Sequence, residues 1–403
     1  MPDLLQPSLA VAGVRLGTAA AGIRYRERDD VVLIELAEGS AVVAAFTRNA
    51  FRAAPVVVAA EHLASGNPRV LLINAGNANA GTGAAGLEAA RHCCRLAANS
   101  LGCDAEAVLP FSTGVIGEQL PVARFGDGVP TARDALAADG WDRAARAIMT
   151  TDTRPKLFSR SVALGDHSAT VTGMAKGAGM ICPDMATLLA FVATDAQVER
   201  PALQAILDRS LARSFNRVTI DGDTSTNDAC VLVATGAASN ATIADLDTQA
   251  GAILAEAVAQ VCEDLAEAVV RDGEGATKFI RVRVREGRDT EECRRVAYSI
   301  AHSPLVKTAF YASDANWGRI LAATGRAGLP DLDIERVDIL LDDVLVVRHG
   351  GRNPDYQEEL GAQVMARSEI VVTVVLRRGS AEAEIWTCDL SHDYVSINAD
   401  YRS

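Results

Sequence analysis

One short stretch of the sequence combines the residue types of a loop with a hydroxyl side chain at the entrance to an apolar run. Residues 173–191 read Gly-Met-Ala-Lys-Gly-Ala-Gly-Met-Ile-Cys-Pro-Asp-Met-Ala-Thr-Leu-Leu-Ala-Phe. Glycines, Lys176 and a proline occupy the first part, and the last part is apolar. This order predicts a tight loop that delivers Thr187 to the start of a buried segment.

The hydroxyl of Thr187 becomes a useful nucleophile only if a base takes its proton. No histidine lies in this stretch. The α-amine of Thr187 itself, with a pKa of about 8, is a better base than a lysine side chain near about 10.4. That amine exists only after the Thr187 hydroxyl attacks the Ala186 carbonyl and the resulting ester is hydrolysed. The structural alternative is a β-branched residue that enters a strand.

Two segments around this threonine resemble the self-cleavage motif of the ornithine acetyltransferase family of arginine biosynthesis, also called glutamate N-acetyltransferase. They are Lys-Gly-Ala-Gly-Met at 176–180 and Met-Ala-Thr-Leu-Leu at 185–189. The resemblance runs from about residue 45 to the last residue. Its other segments are Ser-Thr-Gly-Val-Ile-Gly at 112–117, Thr-Thr-Asp-Thr at 150–153, Gly-Asp-Thr-Ser-Thr-Asn-Asp at 222–228, and the blocks at 303–308 and 314–319.

The resemblance implies self-cleavage between Ala186 and Thr187. The products would be an α chain of residues 1–186 and a β chain of residues 187–403, which share one catalytic core. Thr187 would be the nucleophile, and Thr113 with the Gly114 N–H would stabilise the oxyanion. The substrate-binding residues that the resemblance implies are Thr153, Lys176, Thr187, Glu274, Asn398 and Ser403.

The residues alone leave other interpretations open for these positions. A Thr-Gly pair such as 113–114 is common in turns. Lys176 can be a solvated loop lysine, Glu274 a turn carboxylate between glycines, and residues 398–403 a frayed terminus. The acidic loop at 221–228 invites a calcium interpretation, but it lacks the glutamate that an EF-hand loop needs at its twelfth position. We therefore interpret that loop as a hydrogen-bonded turn.

The reaction implied by the resemblance moves an acetyl group from N2-acetyl-L-ornithine to L-glutamate through acetyl-Thr187. It needs no cofactor and no metal, and acetyl-CoA is an alternative second donor. The expected assembly is a heterotetramer of two α and two β chains. A self-cleaving aminopeptidase or amidase of the same fold is the alternative enzyme. A non-enzymatic binding protein, with the Ala186–Thr187 bond intact, is the other class.

Composition restricts the partners. The chain has 403 residues, 49% of them hydrophobic, enough for one large core or two moderate ones. Its net charge of -13 argues against a nucleic-acid partner. No apolar run approaches the length of a membrane span and no basic segment opens the chain, so we expect no membrane and a cytoplasmic protein. The eight cysteines include no Cys-x-x-Cys pair, which predicts reduced thiols.

The elements that must position these residues alternate between strands and helices. Apolar runs at 31–36 and 41–46 predict a hairpin, and the Asn- and Gly-rich segment 74–83 predicts a loop. The resemblance implies an α/β fold, a layered sandwich with two sheets between helices, similar in architecture to N-terminal-nucleophile hydrolases but with its own connectivity. The remaining predicted strands are 69–73, 159–164, 168–174, 217–220, 279–285 and 383–390, and the predicted helices are 87–101, 141–149, 198–213 and one or two within 242–270.

Overall fold

The computed structural model describes residues 8–182 and 188–400. Ala186, Thr187 and Ser403 therefore lie outside the described residues. The chain divides into a first unit, Met1–Asn216 with Asp223–Val269, and a second unit, Arg217–Gly222 with Val270–Ser403. Within the described part of the chain, no helix is long and apolar enough to cross a membrane.

Among the residues that the structure describes, the first unit contains two sheets and six α-helices. Their strand orders are β1-β2-β4-β5 and β3-β9-β8-β7-β6. The strands are β1 (Val14–Ala19), β2 (Val31–Leu36), β3 (Ala41–Phe46), β4 (Val70–Asn77), β5 (Val108–Val115), β6 (Lys156–Leu164), β7 (His167–Lys176), β8 (Leu189–Thr194) and β9 (Ala229–Ala234). The helices are α1 (Ala54–Ser65), α2 (Gly83–Leu101), α3 (Ala123–Asp134), α4 (Trp141–Ala147), α5 (Arg200–Arg213) and α6 (Gln249–Arg271), whose last two residues belong to the second unit.

The two sheets of the first unit face each other across a shared core. Phe111 of β5 and Phe191 of β8 meet edge to face, with ring centroids 5.1 Å apart. β4 is apolar on both faces because Leu71 points into this core while Leu72 packs against the helices α1, α2 and α3. On the other sheet, α5 packs on β3 and β9, and α6 packs beside Gly173 of β7. The expected layered α/β fold is confirmed.

The second unit adds a third sheet, which the sequence had not predicted as a separate layer. Its strand order is β13-β12-β11-β14-β10-β15. The strands are β10 (Phe279–Gly287), β11 (Asp338–Leu341), β12 (Val344–Arg348), β13 (Gly351–Arg352), β14 (Glu369–Val375) and β15 (Ala381–Cys388). The helices are α7 (Thr290–Ala301), α8 (Pro304–Tyr311), α9 (Trp317–Gly325), α10 (Glu358–Met365) and α11 (His392–Asp400).

The period-2 pattern of β10 is confirmed. Ile280, Val282 and Val284 are buried in the core of the second unit with α7. The arginines between them lie on the opposite face, where Arg283 pairs with Glu384 of β15 at 2.7 Å. A strand with one buried face thus needs the alternation that its sequence shows.

Three predicted elements are wrong. The runs at 31–36 and 41–46 form strands but no hairpin, because β2 pairs with β1 and β4 whereas β3 pairs with β9 in the other sheet. The segment 74–83 is not entirely a loop, since β4 continues through Asn77 beside β5. The segment 217–220 forms no strand; only Val218 makes an isolated bridge, to Trp386.

Candidate active site

Lys176 and Thr113 are brought together by the ends of two strands. Lys176 is the last residue of β7, and Thr113 lies near the end of β5. The Nζ atom of Lys176 lies 2.9 Å from Oγ1 of Thr113. An ammonium group can only donate, so the Thr113 oxygen accepts this hydrogen bond. The hydroxyl hydrogen of Thr113 is consequently directed away from Lys176.

Gly114 allows β4 and β5 to approach each other closely. Its φ is +132°, and it lies opposite Gly76, whose φ is +98°. A Cβ atom on Gly114 would overlap the carbonyl carbon of Gly76. Any other residue at 114 would therefore have to displace the neighbouring strand as well as adopt a strained backbone.

A buried carboxylate, Asp152, holds the loop that follows Lys176. Its Oδ1 accepts from Lys156 Nζ at 2.6 Å and from the Gly177 N–H at 2.7 Å. Burial alone raises the pKa of Asp152, but the positive charges of Lys156 and Lys176 outweigh it and hold that pKa well below its usual range. Asp152 therefore carries a negative charge that offsets the two lysines.

Asn227 links the segment just after β4 to β5, the strand that contains the predicted oxyanion residues Thr113 and Gly114. Its side-chain amide donates to the Ala78 carbonyl at 2.6 Å and to the Ser112 carbonyl at 2.9 Å. Ser112 in turn donates to the Asn74 side chain at 2.6 Å. Because Ser112 immediately precedes Thr113, Asn227 fixes the backbone from which the Thr113 hydroxyl projects. The hydrogen-bonded turn predicted for this acidic segment fits these bonds, but the role of Asn227 was missed.

Asp228, the next residue, is a buried acid in the same unit. Burial raises its pKa well above the usual range, while its hydrogen bonds with Ser225 and Thr47 and the charge of Lys176 act in the opposite direction. Only 3% of Asp228 is exposed. This acid was also missed in the sequence, where nothing distinguishes it from the other acidic residues of the loop.

The second unit contains Glu274 and Asn398. The Asn398 amide donates to Glu274 Oε2 at 2.7 Å and to the Tyr394 carbonyl at 2.9 Å. The Tyr394 hydroxyl donates to Asp221 at 3.2 Å, which fixes α11. Residues 392–400 therefore form a helix that is docked within this unit. The alternative interpretation of residues 398–403 as a frayed terminus is wrong for Asn398.

The remaining predicted site residues are Thr153, Ala186, Thr187 and Ser403. Thr153 is exposed and follows the buried Asp152 in sequence. Ala186, Thr187 and Ser403 lie outside the described residues. Among residues 8–182 and 188–400, no group of three His, Cys, Asp or Glu side chains could hold a metal ion.

The sequence matches one family and has relatives along its whole length. The ArgJ family profile matches residues 15–403. The arginine biosynthesis bifunctional protein ArgJ of Methylococcus capsulatus is 58% identical over 393 residues, which cover 98% of this chain and 96% of that protein. The protein of the same name from Psychrobacter arcticus is 52% identical over 403 residues, which cover 100% of this chain and 98% of that one.

Solved structures give partial matches. The crystal structure of arginine biosynthesis bifunctional protein ArgJ from Bacillus halodurans is 40% identical, with a TM-score of 0.49, and covers 52% of this chain and 97% of its own. The structure of ornithine acetyltransferase from Mycobacterium tuberculosis, complexed with ornithine, is 35% identical, with a TM-score of 0.40, and covers 45% of this chain and 98% of its own.

Proposed function

The chain belongs to the ArgJ family and is an acetyltransferase of arginine biosynthesis, and we propose a role in the reaction for each of its site residues. The chain moves an acetyl group from N2-acetyl-L-ornithine to L-glutamate. The contact between Lys176 and Thr113 is the observation that carries the proposed mechanism. The relatives at 58% and 52% identity favour this activity over the aminopeptidase alternative.

Thr187 is the proposed nucleophile, with its own α-amine as the base. The Thr187 oxygen attacks the acetyl carbonyl of N2-acetyl-L-ornithine while its proton passes to that amine. The tetrahedral intermediate collapses, the C–N bond breaks, and ornithine leaves with the proton. The α-amine of glutamate then attacks acetyl-Thr187, which gives N-acetyl-L-glutamate and restores the threonine.

Thr113 and Gly114 are the proposed oxyanion donors. Thr113 accepts from Lys176, so its hydroxyl hydrogen can donate to the negative oxygen of the intermediate, beside the N–H of Gly114. The ammonium of Lys176 draws charge from the Thr113 oxygen and makes that hydroxyl a stronger donor. Asn227 and Asp152 support the geometry because they hold the segments before Thr113 and after Lys176.

The remaining site residues are proposed to bind substrate. Glu274 supplies a carboxylate for the side-chain ammonium of ornithine, and Asn398 supplies an amide next to it. Thr153 and Ser403 add hydroxyl groups. Lys176 adds a positive charge for an anionic group of the bound amino acid.

Self-cleavage between Ala186 and Thr187 is part of the proposal. Strands on both sides of that bond belong to one sheet: Lys176 of β7 pairs with Leu189 of β8. Leu188 is buried, and its carbonyl accepts from the Ala229 N–H at 3.0 Å. This pairing supports two chains that share one core after cleavage. We further propose an assembly of two α and two β chains in the cytoplasm.

The experiment that tests this function follows ornithine release with and without glutamate. A transferase with an acetyl-Thr187 intermediate should release one ornithine per active site without glutamate and then stop. Added glutamate should restart turnover and give stoichiometric N-acetylglutamate. Continuous release of ornithine and acetate without glutamate would identify a hydrolase instead.

A further inference from the structure

Lys307 is a buried lysine of the second unit that the mechanism proposed above does not use. It belongs to the block Ser-Pro-Leu-Val-Lys-Thr at 303–308, one of the segments that resemble the family. Only 4% of Lys307 is exposed, and its ammonium forms no ion pair with any residue that the structure describes. Burial of an unpaired charge costs free energy, so the contacts of this ammonium indicate what it stabilises.

The sequence of this block directs Lys307 into the protein. Ser303 caps α8, because its side-chain oxygen accepts from the Val306 N–H at 3.4 Å, and Pro304 occupies the first turn. The Lys307 N–H then donates to the Ser303 carbonyl at 2.9 Å. With the helix begun at this point, Leu305 is exposed, whereas Val306 and Lys307 lie on the buried face.

Lys307 binds the end of β15 through both its side chain and its backbone. Its ammonium donates to Thr387 Oγ1 at 3.0 Å and to the Cys388 carbonyl, and it lies 3.9 Å from Cys388 Sγ. The carbonyl of Lys307 accepts from the Leu390 N–H at 3.3 Å. These contacts hold the last two residues of β15 and the start of the connection to α11.

The end of β15 is bonded in turn to the chain that enters β10. Cys388 is paired with Phe279, the first residue of β10. The carboxylate of Asp389 accepts from the Thr277 N–H at 2.8 Å and from the Thr277 hydroxyl. A displacement of the end of β15 would therefore also displace the residues that precede β10.

The turn that contains Glu274 lies against the same end of β15. A Cβ atom on Gly273 would lie 3.1 Å from Cys388 Sγ. On the other side of Glu274, Gly275 has a φ of +70°, and a Cβ atom there would overlap the Ser391 hydroxyl. Both neighbours of Glu274 are thus in close contact with the chain at and beyond the end of β15.

The charge of Lys307 also has counterparts around Cys388. Burial raises the pKa of the Cys388 thiol, the charge of Lys307 acts to lower it, and Asp389 and Asp221 act to raise it further. The thiol is therefore neutral, with one positive and two negative charges around it. A neutral residue in place of Lys307 would remove the positive charge that offsets these two acids.

We propose that Lys307 is a positioning residue for substrate recognition, because it fixes the end of β15 against which the Glu274 turn lies. The proposal rests on the function proposed above, in which Glu274 binds the side-chain ammonium of ornithine. A charge-assisted hydrogen bond depends on distance and direction, so a displaced Glu274 binds that ammonium less well. Lys307 thereby determines, through Glu274, the preference for an amino acid with a side-chain ammonium.

The test compares two acetyl donors that differ in one charged group. N2-acetyl-L-norvaline has the carbon skeleton of N2-acetyl-L-ornithine but no side-chain ammonium. The ratio of kcat/KM for the two donors measures recognition of the ammonium and does not depend on the fraction of enzyme that is folded. Wild-type enzyme should prefer N2-acetyl-L-ornithine, and Glu274→Gln should lose most of this preference.

Lys307→Met keeps the apolar stem and removes the ammonium. We expect it to lower the donor ratio by about tenfold or more, since a small misplacement of a substrate-binding group has effects of this size. The loss should appear mainly as a higher KM for N2-acetyl-L-ornithine, with kcat/KM for N2-acetyl-L-norvaline nearly unchanged. A purely structural role would lower the activity with both donors by the same factor and leave the ratio unchanged.

Lys278 provides the matched control. It is also a buried lysine of the second unit, but its ammonium donates to the Met365 carbonyl at 2.8 Å, at the end of α10. Lys278→Met should lower stability in urea by a similar amount and leave the donor ratio at the wild-type value. Thr387→Val removes one acceptor of the Lys307 ammonium and should lower the ratio by a smaller factor. If Lys307→Met does not fold, Thr387→Val decides the question.

Three results would overturn the proposal. The first is a donor ratio that falls in Glu274→Gln but not in Lys307→Met, which would leave the role of Glu274 intact and limit Lys307 to stability. The second is an equal fall of the ratio in Lys307→Met and Lys278→Met, which would assign the effect to a general loosening of the second unit. The third is an unchanged ratio in Glu274→Gln, which would refute the proposed role of Glu274 itself and the positioning role with it.

Discussion

Lys176 Nζ and Thr113 Oγ1 lie 2.9 Å apart although 63 residues separate them in the sequence. The lysine can only donate, so this contact determines which way the threonine hydroxyl can donate. The contact links Lys176, which the family resemblance suggested for substrate binding, to Thr113, which it suggested as a donor to the oxyanion. We therefore propose that Lys176 orients the Thr113 hydroxyl, in addition to any direct contact with substrate.

The first prediction concerns this pair. Thr113→Val removes the hydroxyl donor at nearly constant volume and should lower kcat by about 100-fold to about 1,000-fold, the usual effect of one lost oxyanion donor. Thr113→Ser keeps the hydroxyl and is the matched control, which should stay within tenfold of wild type. Steady-state exchange kinetics measure both. Equal rates for the valine and serine variants would exclude Thr113 as an oxyanion donor.

The second prediction concerns Asn227. Asn227→Ala leaves the Ala78 and Ser112 carbonyls without this donor and should cost about 1–3 kcal/mol of stability. It should also lower kcat more than it raises KM, because the backbone before Thr113 loses its support.

Asn240 provides the control for Asn227. It is also a buried asparagine of the first unit, and its amide donates to the Ala241 carbonyl at 2.8 Å. Asn240→Ala should lower the unfolding temperature by a similar amount and leave kcat unchanged. A similar loss of kcat in both variants would mean that Asn227 acts only through stability.

The third prediction concerns Asp152 and Lys156, which are almost completely buried. Asp152→Asn leaves the Lys156 ammonium buried without its counter-charge and should destabilise the protein by about 3–5 kcal/mol. Lys156→Met in the same chain removes that ammonium and should recover much of the loss. Urea unfolding measures both. No recovery in the double variant would show that Asp152 acts mainly through its bonds to the backbone.

The same pair gives a pH dependence. The pKa of Asp152 is lower in the folded protein than in the unfolded chain, so its contribution to stability is present above the usual carboxyl pKa and is lost as the pH falls below it. Wild-type stability should therefore fall on acidification from about pH 5 to about pH 3, and Asp152→Asn should lack this component. Parallel stability curves for the two proteins would contradict the assigned shift.

The fourth prediction concerns the C-terminal segment. Removal of residues 398–403 deletes the amide that contacts Glu274 but leaves the Tyr394 contact that fixes α11. Cleavage involves no bound amino acid, so conversion to two chains should remain. Acetyl exchange should fall about tenfold or more, since a lost hydrogen bond to a charged group costs about 1.5–3 kcal/mol. A truncated protein that exchanges at the wild-type rate would exclude this segment from the site.

The sequence predicted the features that depend on local pattern. β10 was predicted because one buried face requires alternation, and α2 because its apolar residues follow a helical period. The hairpin at 31–46 was wrong because the pairing of β3 is decided by β9, almost two hundred residues away. Local periodicity contains no information about such a partner.

The candidate site also contains some residues that could be predicted from the sequence and others that could not. Thr113 and Lys176 could be named because their short motifs resemble a known family. Asn227 and Asp152 act by binding backbone groups that are distant in sequence, so their roles become visible only when the strands are assembled. The asparagine at 227 differs in nothing local from an ordinary turn residue.

We propose that the acetyl group passes through the amino-terminal threonine of a cleaved chain. The most direct measurement is mass spectrometry of the purified protein after incubation with N2-acetyl-L-ornithine in the absence of glutamate, followed by peptide mapping. We expect two chains, with one acetyl group on the peptide that begins at Thr187, and this acetyl group should be lost again when glutamate is added. A single full-length chain that catalyses exchange, or an active cleaved enzyme with no acetyl group on Thr187, would contradict it.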